Sequence, residues 1–213
     1  MDLIFVRHGQ TVWNAEDRMQ GQSDTELSEL GLRQAKQVAR VLAGEDISAF
    51  YSSDLQRASV TAEIIAEEHK LPVVKTPLLR EVNLGFWQGL NTTEIQEQYP
   101  NEYAAYRTDS VLNRPPGAER IESVIDRARR FIEMVTAREA AGRIVVVAHG
   151  GIIRGALCWS LDAGPELYRR VRLENAGITT IRTNASGCPS LVLAVNDTCH
   201  LRSMNDSENI EEM

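Results

Sequence analysis

FVRHGQTVWN, residues 5–14, and IVVVAHGG, residues 144–151, repeat one figure in a single chain: an apolar run that stops at His-Gly. Residues 2–6 and 144–148 read as strands. The second is apolar throughout, as expected of a strand covered on both faces. In an open parallel sheet, ligands bind beyond the carboxyl ends of the strands, and both His-Gly pairs fall at such ends. The two strands are therefore predicted to be neighbours, with His8 and His149 facing one small space about one strand spacing, roughly 5 Å, across. Arg7 stands beside the first of them.

Working outward, three segments carry helical spacing. In LSELGLRQAKQVARVLA, Leu32, Ala35, Val38, Ala39 and Leu42 share a face behind Ser28 as N-cap. In LQRASVTAEIIAEEH the shared face is Ala58, Ala62, Ile65 and Ala66. Between Glu119 and Ala141 it is Ile121, Val124, Ala128, Phe131, Ile132 and Val135, with Gly142 as the stop. Further short apolar or β-branched runs at 47–51, 177–183 and 190–196 read as strands. Strands alternating with amphipathic helices predict an α/β protein: a single three-layer domain over 1–204, with a mostly parallel sheet flanked by helices. The segment of about 84–117 has weaker periodicity and reads as a small cap insertion over one edge of the sheet. The acidic tail, 205–213, is predicted to be disordered.

The 213 residues are 43% hydrophobic and carry a formal charge of −7. That balance argues against a nucleic-acid partner or an anionic membrane surface. It also means that an anion pocket must be built from a few placed arginines. No apolar run is long enough to span a bilayer. Cys158, Cys188 and Cys199 show no CxxC spacing, which predicts reduced thiols and a cytoplasmic location. Cys158 is expected to be a small core residue.

A third strand end supplies a second arginine. ISAFYSSDLQRASVTAEI, 47–64, reads as strand, turn and helix, with Ser53 or Asp54 as cap and Arg57 in the first turns. Two arginines and two histidines at one edge predict a pocket for a dianion such as phosphate, since guanidinium forks bind its oxygens bidentately. There is no GxxxxGK[ST] loop or Asp cluster for magnesium and no HxxxH spacing for zinc. Phosphoryl transfer without a metal can proceed through a side-chain nucleophile, and neutral imidazole is competent near pH 7. Glu81, in PLLREVNLGFWQG, is the candidate general acid; the competing reading is an ion pair with Arg80.

RHGQTVWN, QGQSDTELSELGLRQA, SSDLQRASVTAEII, LREVNLGFWQG and VVVAHGGIIR occur in that order. Together they resemble the histidine phosphatase superfamily, in its phosphoglycerate mutase-like branch, and the likeness runs from residue 3 to about 200. The resemblance implies that His8 becomes a phosphohistidine, that Arg7, Arg57 and His149 hold the phosphoryl oxygens, and that Glu81 donates the proton. It implies a phosphate contact from Asn14, and places Gln20, Gly21, Gln22 and Gly150 at the substrate site. It calls for no metal and no organic cofactor, and for a small phosphorylated metabolite as partner. Gln22 stands where the mutases carry a tryptophan, and PPGAERIES stands in place of PGGES. The mutases are also longer, with a basic segment in the cap that holds the substrate carboxylate, whereas this cap offers only Arg107 and Arg114. These departures favour hydrolysis over mutase action, with the non-phosphate half of the substrate held loosely. A catalytically dead phosphate-binding module is the remaining alternative, and none of the residues it would have lost is missing.

Overall fold

The computed structural model describes residues 1–139, 141–183 and 190–202. Within them the strands are β1 (Asp2–Arg7), β2 (Ile47–Ser53), β3 (Val73–Thr76), β4 (Arg143–Ala148), β5 (Ile178–Arg182) and β6 (Leu191–Asp197). The helices are α1 (Val12–Ala15), α2 (Glu29–Leu42), α3 (Gln56–Ala66), α4 (Thr92–Gln98), α5 (Pro100–Thr108), α6 (Ile121–Arg138) and α7 (Gly150–Ser160). The strands form one sheet in the order β3-β2-β4-β1-β5-β6. The first three pairings in that order are parallel and the last two antiparallel, giving the mostly parallel α/β domain predicted.

Alternation along the central strands sorts the core into two layers. Leu3 and Phe5 of β1, with Ile144, Val146 and Ala148 of β4, pack against α6 and α7. Ile4, Val6, Val145 and Val147 point the other way, onto α2 and α3. Residues 144–148 are wholly buried, which explains the unbroken apolar run. β1 and β4 lie side by side with Arg7 opposite Ala148, and the His8 amide donates to the Ala148 carbonyl at 3.0 Å. The two His-Gly ends are neighbours, as expected.

Several local expectations need correction. β3 and α7 carry no signal that was read from the sequence. α7 is too apolar to show a polar face, because nine of its eleven residues are buried. Leu32 does not join the buried face of α2 but is 38% exposed. That face starts at Gly31 instead, where an added Cβ would meet the Gln10 carbonyl oxygen, so the helix turns its next residue outward. Neither Ser53 nor Asp54 caps α3. Its N-cap is Leu55, the first helical amide, Gln56, donates to Asp24 at 2.8 Å, and Asp54 is engaged by Arg80.

The cap segment holds α4 and α5 around Trp87, which packs on Tyr103 and Tyr106. Gly85 has φ +56° and sits against the Pro116 carbonyl, closing the segment on itself where only glycine fits. Leu84, Tyr106 and Arg114 line a cavity together with Arg7 and His8. The cap therefore lies over the carboxyl ends of the strands. Cys158 is buried in the core as expected and Cys199 is exposed. Cys188 and the acidic tail lie outside the described residues. Among the described residues, no helix is long and apolar enough to cross a membrane.

Candidate active site

Beyond the ends of β1 and β4 lies a cavity of about 280 Å³, lined at its floor by Arg7, His8, Arg57, Glu81 and Gly151. His8 is 3% exposed, and its Nδ1 lies 2.7 Å from the Gly9 carbonyl. A carbonyl can only accept, so Nδ1 carries the proton and the lone pair resides on Nε2. Burial holds the His8 imidazole well below the ordinary histidine range, and the charges of Arg57 and Arg7 act in the same direction. The ring is therefore neutral at pH 7.

His149 lies against it, with ring centroids 5.1 Å apart. It is fully buried at the N-cap of α7, and neither ring nitrogen finds a partner among the described residues. Burial, then Arg57, then His8 itself, push its pKa well below the ordinary value too. Arg7 donates from Nη1 to the Leu173 carbonyl at 2.5 Å, and Arg57 donates to the Ser23 and Gly21 carbonyls at 2.8 and 2.7 Å. Each keeps a buried Nε without a partner. Arg57 is 1% exposed, and burial pulls its guanidinium down to about 10. Two cations held this way, on backbone carbonyls rather than carboxylates, leave donors available to an anion.

Glu81 is not the partner of Arg80. Arg80 forms a bidentate pair with Asp54, at 2.8 and 2.6 Å. The Glu81 carboxylate instead accepts from the Gly151 amide, at 2.9 Å to Oε1 and 3.2 Å to Oε2, and from the Val82 amide at 2.8 Å. Gly151 is in the first turn of α7, so an unpaired helix amide holds the carboxylate. An added Cβ there would lie 2.1 Å from Oε1 and 2.6 Å from the Tyr168 hydroxyl, so close an approach requires glycine.

The segment bearing Glu81 is clamped from behind. Arg127 of α6 donates to the Leu78 and Arg80 carbonyls at 2.9 and 2.7 Å and pairs with Glu119 at 2.9 Å. Glu119 also accepts from the Asn83 amide at 3.2 Å. Gln22 belongs to this support. Its Nε2 donates to the Glu81 carbonyl at 3.0 Å, and it does not line the cavity. Gly150 is likewise absent from the lining, where Gly151 is present. Asn14, Gln20 and Gly21 do line it. The Asn14 side-chain oxygen is taken by Thr11 and by Asn175, whose Nδ2 also reaches the His8 carbonyl at 3.1 Å.

Arg154, Tyr106 and Tyr168 line the cavity and were not picked out from the sequence. Arg154 ends the VVVAHGGIIR stretch, five residues after His149, and its place on α7 was the signal available. Arg107, in contrast, does not line the cavity, whereas Arg114 does. Among the described residues, no group of three or more His, Cys, Asp or Glu side chains is placed to hold a metal ion.

Residues 3–197 match the family model of the histidine phosphatase superfamily, branch 1. The chain is 34% identical to phosphoserine phosphatase 1 of Hydrogenobacter thermophilus, with 93% of each protein covered. It is 39% identical to the metal-independent phosphoserine phosphatase of Arabidopsis thaliana, covering 94% of this chain and 76% of that one. The solved structure of a mycobacterial glucosyl-3-phosphoglycerate phosphatase in complex with VO3 superposes with a TM-score of 0.85 at 34% identity, covering 92% and 99% of the two chains. Paired strand-end histidines, two arginines free of carboxylates and a glutamate held at a helix start thus sit in a chain that belongs to the histidine phosphatase superfamily, as a phosphatase.

Proposed function

We propose that the protein is a metal-independent hydrolase of small phosphorylated metabolites, acting through a phosphohistidine on His8 with Glu81 as proton donor. The observation that carries this reading is the His8 ring: buried, neutral and fixed by Gly9 so that the Nε2 lone pair is the one available for attack. Nε2 attacks phosphorus and the ester P–O bond breaks. Arg7, Arg57 and His149 supply donors to the phosphoryl oxygens, and the Nδ1–H bond to Gly9 disperses the positive charge that develops on the ring. Glu81 gives its proton to the departing alkoxide. The resulting carboxylate then takes a proton from water as it attacks the phosphohistidine, which releases inorganic phosphate and regenerates neutral His8. Asn14, Gln20 and Gly21 line the approach, and the cytoplasm is the location we propose.

Rapid mixing with a labelled phosphomonoester and an alkaline quench tests the intermediate. Label should be trapped on His8, be stable to base and labile to acid, and form equally well in EDTA. Acid-stable label, or label retained in His8→Ala, would assign the nucleophile elsewhere. The same preparation should release phosphate faster than it interconverts 2- and 3-phosphoglycerate; the reverse order would make the protein a mutase with the same residues.

A further inference from the structure

SELGLRQA, residues 28–35, spans the N-cap and first turns of α2, and none of its side chains lines the cavity. It is nevertheless fastened to the residues that follow the nucleophile. Ser28, Gly31 and Gln34 stand three apart, which keeps them on one face of the helix, toward the Gly9–Gln10 peptide. Ser28 caps α2 by accepting from the Gly31 amide at 3.1 Å, while its own amide donates to the Gln10 carbonyl at 2.9 Å. Gly31 lets the two backbones touch. A Cβ there would run into the Gln10 carbonyl oxygen, and a Cβ on Gly9 would run into the Gly31 carbonyl oxygen. Gln34 completes the grip, because its Oε1 accepts from the Gln10 amide at 2.8 Å.

The Gln10 amide and the Gly9 carbonyl are two ends of one peptide group. That carbonyl accepts the His8 Nδ1–H bond at 2.7 Å, so a continuous hydrogen-bond chain runs from Gln34 through the peptide to the nucleophile's ring. A peptide whose N–H donates carries a more negative oxygen, and linked hydrogen bonds strengthen one another. The ring becomes positive when Nε2 takes the phosphoryl group. Burial, Arg57 and Arg7 all oppose a positive ring, and the Gly9 bond acts the other way. Building on the phosphatase reading above, we propose that Gln34 is a positioning residue for the reaction: through the Gly9–Gln10 peptide it fixes and polarises the carbonyl that orients His8. The preceding peptide is held separately. The Gly9 amide donates to Thr61 Oγ1 at 3.2 Å, and the His8 carbonyl accepts from Asn175 at 3.1 Å. Loss of Gln34 therefore frees one peptide and leaves the path of the chain in place.

The test times label transfer from a labelled phosphomonoester to His8 with enzyme in excess, beside the inhibition constant of inorganic phosphate. Gln34→Met keeps the length of the side chain and loses the acceptor. It should slow His8 labelling by roughly tenfold, the scale of one charge-assisted hydrogen bond. Inorganic phosphate should bind as tightly as in wild type, because Arg7 and Arg57 are untouched. Gln34→Glu keeps an acceptor on the Gln10 amide and should label within about threefold of the wild-type rate. In NMR spectra of histidine-labelled protein, the His8 Nδ1–H proton should move upfield in Gln34→Met and downfield in Gln34→Glu, whose carboxylate is the stronger acceptor. Labelling in Gln34→Met within about twofold of wild type, or Gln34→Glu as slow as Gln34→Met, would overturn the role. So would an equal loss of phosphate affinity, which marks general damage to the site. Should Gln34→Met not unfold cooperatively, Gln34→Glu decides alone, and an unmoved Nδ1–H signal there overturns the role. A wild-type protein that takes no label on His8 would sink the phosphatase reading itself, whereas normal wild-type labelling with unaffected variants sinks only the part given to Gln34.

Discussion

Gly151→Ala offers a clean probe of how Glu81 is held. The added methyl would lie 2.1 Å from Glu81 Oε1 and 2.6 Å from the Tyr168 hydroxyl. Optimal non-bonded separations are roughly 3.5 Å, so the overlap with Oε1 exceeds about 1 Å. The nearest atom is the end of a side chain rather than backbone, so the carboxylate moves and α7 stays. Alanine is also the better helix former, by about 0.5–1 kcal/mol, which offsets part of any local strain. The expected result is a folded protein with an unfolding midpoint close to wild type and a misplaced proton donor. A displacement of about 1 Å at a catalytic group costs on the order of 10²-fold in kcat. The loss should depend on the leaving group: near 10²-fold for alkyl phosphates, and much smaller for p-nitrophenyl phosphate, which departs without a proton. Glu81→Gln should show the same dependence, which identifies the lost function as proton donation. Unchanged kcat on an alkyl phosphate in Gly151→Ala would refute the link between the Gly151 amide and the reactive position of Glu81. Equal losses on both leaving groups would place the damage in phosphate binding instead.

Two further predictions concern stability. His8 and His149 are buried, and burial followed by the charge of Arg57 keeps both folded-state pKa values well below 6.5. The unfolded chain therefore binds two protons that the folded chain refuses; the stability this contributes is complete above about pH 6.5 and is lost as pH falls toward the folded values, by up to about 1.4 kcal/mol per pH unit for each histidine. Urea unfolding at pH 7 and pH 5.5 should show the decline, and His149→Gln should flatten it by about half; identical slopes for the two proteins would contradict the assignment. The pair formed by Arg127 and Glu119 is only 13% and 17% exposed. Arg127→Leu alone should cost about 3 kcal/mol or more, because it leaves Glu119 buried and uncompensated, whereas Arg127→Leu with Glu119→Leu should recover much of that loss. A single variant as stable as wild type in urea would show that the pair does not brace the segment carrying Glu81.

Much of the architecture can be read from local pattern. Strands 2–6 and 144–148 and the three amphipathic helices are one-dimensional signals, because each element must show an apolar face to a neighbour and polar residues to water, although α6 ends at Arg138, before the stop expected at Gly142. The two His-Gly ends could be placed side by side because a parallel sheet gathers its ligand-binding loops at one end. What the pattern could not show was anything decided by partners far apart in the chain. Glu81 and Arg80 are adjacent in sequence, yet Arg80 turns to Asp54 and Glu81 to Gly151, and no spacing rule distinguishes that outcome from an ion pair between the neighbours. α7 left no amphipathic trace because it is buried nearly all round. Leu32 obeyed the helical period and still faced water, because Gly31 docks against Gln10 and sets the rotation of α2. Gln22, aligned by its motif with a substrate site, serves as a prop for the Glu81 backbone. The sequence by itself determined the α/β class, the paired histidines and their arginines. Only the tertiary structure decided which atoms of those residues are already engaged and which are left for a substrate, because hydrogen-bond partners are chosen by proximity in space, and local periodicity carries no record of that choice.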